Sequence, residues 1–419
     1  MKMSERGRKM TGLSGIRSIM EDIALAGAAG GEWFNLSPGN PARVPEAVAT
    51  WRRLYRDAAE APAFAETAGR YGPSRGADVL VEEIVRYFRG RYGWAIDASN
   101  VVVGPGAQML AFAAATLFTG PTPLGHRRLL LPSLPDYTGY QGIPLEQEGI
   151  AGVAPQVEVE GPRRFRYRLD LGAVRAHRDV GMMLVSSPAN PTGRALTEVE
   201  TAGLAGVAED LGIPLVLDHA YGQPFPAIAE DPLEPEPHPN VIHLFTFSKA
   251  GLPGERLGFA VGAPEPVSAM VAFLANVCLH APQTVQAVAA RALADGEIDL
   301  LSEKVLKPHY LAKREAAERA LDELLPRDVR WRLHSGAGGM FCWLWIDEPW
   351  FDDLAAYEAA KRRRLFLVPG RHFFALPPGS AFAAGHGTRC LRLSLSAPEP
   401  EIIEGIRCVA DVLRELRRA

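Results

Sequence analysis

Through the middle of the chain, short apolar runs alternate with longer stretches in which polar and apolar positions follow a helical period. Asn100-Val-Val-Val predicts a strand, followed by Gly104-Pro-Gly and an amphipathic stretch at 107–118. Arg128-Leu-Leu-Leu predicts a second strand. Gly181-Met-Met-Leu-Val-Ser predicts a third, leading into a Pro/Asn/Gly loop and a helix at 197–211. Ile213-Pro-Leu-Val-Leu-Asp, Val241-Ile-His-Leu-Phe-Thr and Leu257-Gly-Phe-Ala-Val-Gly complete the series. Strands apolar on both faces and separated by helices form a mostly parallel sheet covered on each side. The expected class is α/β, with function in the loops beyond the strand ends.

After Lys307-Pro308 the pattern changes. A helix at 308–325 leads into Gly336-Ala-Gly-Gly-Met-Phe-Cys-Trp-Leu-Trp-Ile, and an amphipathic helix at 399–418 ends the chain. This reads as a smaller α+β domain. No fixed-period repeat is present, and the Pro- and acid-rich stretch 229–240 reads as an exposed excursion inside a domain.

Composition narrows the partners. The 419 residues include 45 basic and 49 acidic side chains, a net charge of -4, which argues against a nucleic-acid partner. Cys278, Cys342, Cys390 and Cys408 are scattered without a C-x-x-C pair, so they are expected as reduced thiols, with no disulfide framework and no metal site. The basic N-terminus is not followed by an apolar run, so no secretory signal is expected. The longest apolar stretch, Met109 to Phe118, is far short of the roughly 20 residues of a membrane helix, so a cytoplasmic protein without a membrane partner is expected. Only 7 of the basic residues are lysines, which draws attention to any lysine in an apolar setting.

Four segments could carry chemistry. Gly104-Pro-Gly106 opens a helix after a strand, but Met109 stands where a dinucleotide fingerprint needs its third glycine. The turn is either a phosphate cradle at a helix N-terminus or a plain strand-to-helix connection. Asn190-Pro-Thr-Gly193 alone is a turn signal. Asp218, at a strand end before His219-Ala-Tyr221, either meets a cation and several donors or caps the next segment. Lys249, directly after an apolar run, is either a solvated loop lysine or an amine nucleophile with a lowered pKa.

The order and spacing of Asn190, Asp218, Tyr221, Lys249 and Arg256 resemble the class I/II, fold type I, pyridoxal-phosphate aminotransferases. The family pattern S-K-x-x-x-x-G-x-R-x-G is met by Ser248-Lys249-Ala-Gly-Leu-Pro-Gly254-Glu-Arg256-Leu-Gly258, and the resemblance runs from Gly39-Asn-Pro to Arg392. Ser14-Gly-Ile-Arg-Ser-Ile-Met-Glu-Asp22, Tyr71-Gly-Pro-Ser-Arg-Gly76, Leu252-Pro-Gly254, Lys307-Pro308 and Val368-Pro-Gly-Arg-His-Phe-Phe374 are similar to the valine–pyruvate subfamily. The resemblance implies a large domain over 45–307, its mostly parallel sheet sandwiched by helices, and a small α+β domain from 1–44 and 308–419.

It also implies roles. Lys249 would hold pyridoxal 5′-phosphate as an aldimine and then carry the proton between Cα and the cofactor in ping-pong transamination. Asp218 would keep the pyridine nitrogen protonated, while Asn190 and Tyr221 bond the ring's phenolic oxygen. Thr246, Ser248, Arg256 and the N–H groups of Gly106, Ala107 and Gln108 would hold the phosphate. Tyr137 would stack on the ring, and Arg392, with Gly39 and Asn190, would receive the substrate. Tyr71 would reach the neighbouring subunit's phosphate, which implies a homodimer with shared active sites. The implied partners are a small neutral L-amino acid of the valine or alanine type and a 2-oxo acid such as pyruvate.

Three positions depart from the pattern: Ala107 lacks a hydroxyl, His219 is larger than expected, and Asn276-Val-Cys-Leu-His-Ala-Pro282 is unlike the subfamily. The last keeps open a lyase, cyclase or oxidase acting on an unusual amino acid. A regulator with an aminotransferase-like sensor is disfavoured, because the resemblance begins by residue 14 and the net charge is acidic.

Overall fold

The computed structural model describes every residue except 1, 13–14, 124, 230–232, 337 and 419. Ser14 of the N-terminal similarity segment, Ala337 of the glycine-rich turn and 230–232 of the acidic excursion therefore lie outside the described residues.

The six expected strands form one sheet. Its order is Val101–Gly104, Gly258–Val261, Val241–Thr246, Leu215–Asp218, Val180–Ser186, Gly125–Leu131 and Gly120–Thr122, with Ile150–Gly152 also pairing with Gly125–Leu131. The pairs at the centre of the sheet are parallel, but Gly258–Val261 runs antiparallel to both neighbours. An all-apolar run carries no directional signal, so this reversal was not legible in the sequence.

Strand alternation divides the core. Val101, Val103, Phe245 and Phe259 pack with Leu80, Ile84 and Phe88 of the helix Asp78–Tyr92. Val102, Leu244 and Ala260 face the opposite way, toward Leu110 and Ala111 of the helix Ala107–Phe118. This is the period of two that buries both faces of a strand. The helix expected at 197–211 begins at Glu198, because Thr197 caps it: its hydroxyl accepts from Glu200 N–H at 3.2 Å while Glu200 accepts from Thr197 N–H at 2.9 Å. Gly212, at φ 61°, ends it.

A second, six-stranded sheet is ordered Val368–Pro369, Cys390–Ser394, Phe341–Ile346, Trp331–His334, Arg164–Arg168 and Gln156–Val159. Its last two strands come from the middle of the chain, and Arg164 and Phe165 pair in parallel with Leu333 and His334. Near the N-terminus, Phe34–Asn35 pairs with Leu365–Phe366. The helices Lys307–Leu324 and Glu399–Arg418 lie close to their expected bounds.

The loop Asn190–Gly193 meets the glycine-rich turn before Phe341. Gly193 has φ +71°, and a Cβ there would sit 1.9 Å from the Gly338 carbonyl oxygen. Gly193→Ala is therefore expected to destabilise the fold by roughly 2–5 kcal/mol, through left-handed strain plus displaced backbone. A urea-unfolding midpoint equal to wild type would overturn this.

Candidate active site

Gly104, Ser186, Asp218 and Thr246 are the last residues of their strands, and all lie at one edge of the sheet. That edge, at the carboxyl ends of parallel strands, is where an open α/β sheet leaves a crevice. A cavity of about 530 Å³ opens there between the two sheets, lined by Gly39, Ala107, Gln108, Tyr137, Asn190, Asp218, Tyr221, Thr246, Ser248, Lys249, Arg256 and Arg392.

At its floor, Asp218 is buried and accepts from Tyr140 Oη at 2.7 Å and from Ala220 N–H at 2.9 Å. Burial raises the Asp218 carboxyl above its ordinary range, against the pull of these donors and of Lys249. Lys249 Nζ donates to the Gly39 carbonyl at 2.7 Å and lies 5.6 Å from the Tyr221 ring centroid. Burial first, then Arg392, lowers the Lys249 amine to about 8, with Asp218 opposing. Tyr221 is buried edge-on against Phe341, and burial raises its hydroxyl pKa. Tyr137, partly exposed, sits edge-on to Tyr140 with ring centroids 5.2 Å apart.

At one end, the helix Ala107–Phe118 points its N-terminus into the cavity. Gly106 N–H is committed to Gly104 O at 2.7 Å, so of the expected N–H triplet only Ala107 and Gln108 remain for a ligand. Gly106 is instead favoured by its backbone, whose φ of +83° strains any residue with a Cβ; that Cβ would also press on Arg256 Nη2 at 2.6 Å. Arg256, Ser248 and Thr246 form a chain of donors, Arg256 Nη1 to Ser248 Oγ at 3.4 Å and Thr246 Oγ1 to Ser248 Oγ at 2.9 Å.

At the other end, Arg392 is buried, donating from Nη1 to Asn190 Oδ1 at 3.0 Å and from Nη2 to the Ser37 carbonyl. Its guanidinium lies 4.2 Å from the Phe341 centroid and 5.2 Å from that of Phe373. Among the described residues its Nε is buried without a partner. Phe373 is held there by the turn Gly370–Phe373, in which Arg371 donates from its backbone N–H at 2.8 Å and from Nε at 2.6 Å to the buried Asp353.

Tyr71 does not line this cavity. It is 86% exposed and packs edge-on to His280 at 5.8 Å. None of residues 276–282 lines it either, so the divergent stretch is not part of this chain's own cavity wall. His219 points away from the cavity, stacking on Phe245 at 4.9 Å and bonding His243 at 2.9 Å, and burial holds both imidazoles neutral. The departure at 219 is therefore a packing matter.

Sequence reasoning assigned no role to Tyr140, Ser37, Ser186 or Asp136, the last a buried carboxyl pushed up to about 7 by burial. It also missed Ile19, Met20 and Ile23, which form an apolar wall of the cavity. Their spacing on one helix face was the available signal.

The chain is similar to known proteins over most of its length. The profile of the family "Aminotransferase class I and II" matches residues 32–407. The valine–pyruvate aminotransferase of Escherichia coli K12 is 31% identical over 100% of this chain and 99% of its own. The crystal structure of the valine–pyruvate aminotransferase of Salmonella typhimurium LT2 superposes with a TM-score of 0.86 at 27% identity, over 96% of this chain and 100% of that one. A crystallised protein of Psychrobacter arcticum 273-4 superposes with a TM-score of 0.94 at 30% identity, over 100% and 99%.

Proposed function

This chain belongs to the class I and II aminotransferases, which depend on pyridoxal 5′-phosphate, and we propose that it exchanges an amino group between a small neutral L-amino acid of the valine or alanine type and a 2-oxo acid such as pyruvate. The residues present fit that cofactor. Free helix N–H groups, two hydroxyls and Arg256 suit a phosphate, while a buried carboxylate suits a ring nitrogen. When bound, the cofactor supplies an electron sink for the charge left at the substrate Cα.

Lys249 would hold the cofactor and would move the proton at Cα, a task suited to an amine lowered to about 8. Asp218, steadied by Tyr140 and Ala220 N–H, would keep a proton on the ring nitrogen. Tyr221 and Asn190 would hold the ring's phenolic oxygen, and Tyr137 would stack on the ring. Arg392 takes the substrate carboxylate, exchanging the Ser37 carbonyl for a bidentate partner. Tyr71, exposed in the single chain, supports a homodimer in which it extends to the neighbouring subunit's phosphate.

The observation that carries the reading is Arg392. Its buried guanidinium, with an unpartnered Nε, faces the same cavity as Lys249 and Asp218. Among the described residues lining that cavity the cations are Lys249, Arg256 and Arg392, and each already has a role, leaving none for an acidic side chain. The wall of Ile19, Met20, Ile23 and Val368 instead favours an aliphatic one.

The test is a single-turnover titration of the PLP-loaded protein with L-valine, L-alanine and L-glutamate. Stoichiometric pyridoxamine 5′-phosphate with valine or alanine, reversed by pyruvate, is expected. Product formation without it would replace transamination by a lyase, cyclase or oxidase reaction. Arg392→Lys, which keeps the charge but loses the fork, is expected to raise the amino-acid KM roughly 10–100-fold. An unchanged KM would remove Arg392 from the substrate's path.

A further inference from the structure

We infer that Asp136 is a positioning residue that sets the cofactor-covering ring and the substrate clamp in one register. The inference rests on Tyr137 covering the cofactor and on Asn190 with Arg392 receiving the substrate. Asp136 is 1% exposed, and three donors converge on its carboxylate. Tyr137 N–H donates to Oδ1 at 2.6 Å, Ser186 N–H donates to Oδ2 at 3.0 Å, and the Ser186 hydroxyl donates to Oδ1. Ser186 Oγ in turn accepts from Asn190 N–H at 3.4 Å, and Asn190 Oδ1 accepts from Arg392 at 3.0 Å. Asp136 N–H donates to Phe373 O at 3.2 Å, behind the ring that faces Arg392.

Asp136 thus joins the segment carrying Tyr137 and the strand end carrying Ser186 through its carboxylate, the loop of Asn190 through Ser186 Oγ, and the turn of Phe373 through its backbone N–H. A carboxyl has acceptor oxygens at both positions, whereas an amide offers a single oxygen and its NH2 would face the Ser186 N–H donor. Asp136 lies below Tyr137 and Ser186, outside the residues that line the cavity, so its action passes through them.

The experiment compares Asp136→Asn and Ser186→Ala with wild type in three readouts: the dissociation constant of the cofactor-free protein for PLP, kcat and KM for the amino donor, and the urea midpoint without cofactor. Asp136→Asn is expected to weaken PLP binding and raise KM, each by about 10–100-fold, as charge-assisted bonds are lost. Ser186→Ala, which leaves both backbone donors on Asp136, is expected to raise KM about 2–10-fold with less effect on PLP binding. The double variant should be no worse than Asp136→Asn, because the two residues act in one chain. A folded Asp136→Asn protein with wild-type PLP affinity and KM, and only a lowered urea midpoint, would overturn the inference. If Asp136→Asn does not fold, Ser186→Ala decides: an unchanged KM overturns it. Failure of the wild-type protein to bind PLP or transaminate would instead overturn the functional reading.

Discussion

Lys249→Ala is expected to lower kcat by on the order of 10⁴-fold, because one change removes both the point of cofactor attachment and the base at Cα. The same variant should retain no cofactor after borohydride reduction, whereas the wild-type chain gains the mass of one reduced PLP. The surroundings of Lys249 add a pH signature. Burial and Arg392 lower its amine to about 8, and only the neutral amine attacks a carbonyl. In the cofactor-free protein, the rate of covalent PLP capture should rise about tenfold per pH unit below 8 and level off above it. Lys249→Arg, charged at every working pH, should be as inactive as Lys249→Ala. A capture rate still climbing at pH 10 would mean that the amine is not lowered. Retained borohydride labelling in Lys249→Ala would move the attachment point elsewhere.

Asp218→Asn should lower kcat by roughly 10³-fold while leaving the fold intact or more stable. The amide fits the cage, with its oxygen accepting from Ala220 N–H and its NH2 donating to the Tyr140 oxygen once that hydroxyl rotates. What disappears is the negative charge that would keep a proton on the ring nitrogen. Burial raises the Asp218 carboxyl pKa, so the folded protein carries a cost for that charge, and the amide relieves it. The linkage has a sign. A carboxyl raised on folding contributes stability when protonated and loses it as pH rises through its folded value, so the gain from Asn should be visible at neutral pH and vanish in acid. A variant with wild-type kcat would remove Asp218 from the reaction. One that unfolds would show the cage to depend on the charge.

Much of the fold was legible because its cues are local. Glycine turns, apolar runs and a capping box act within a few residues of themselves, so Thr197 ends one loop and Gly104-Pro-Gly106 starts one helix whatever lies around them. The hairpin Gln156–Val159 and Arg164–Arg168 alternates polar and apolar positions as a half-buried strand does, but the sheet it joins was not legible, since Arg164 and Phe165 pair with Leu333 and His334 far along the chain. Asp136 and Tyr140 stood in a segment already noticed for Tyr137, yet nothing in their spacing told that one would meet Ser186 and the other Asp218.

The sequence by itself determined the chemistry available: one lysine after an apolar strand, an aspartate at a strand end, and arginines at 256 and 392, in an order whose family resemblance the comparisons bear out. Those are properties of residue type and short-range spacing. Tertiary structure decided which groups meet and in what electrical state. Arg392 reaches Asn190 across 202 positions, and Lys249 reaches Gly39 across 210. The lowered amine and the raised carboxyl arise only when two sheets close over them and take water away, because desolvation is a property of the assembled surroundings and not of any segment.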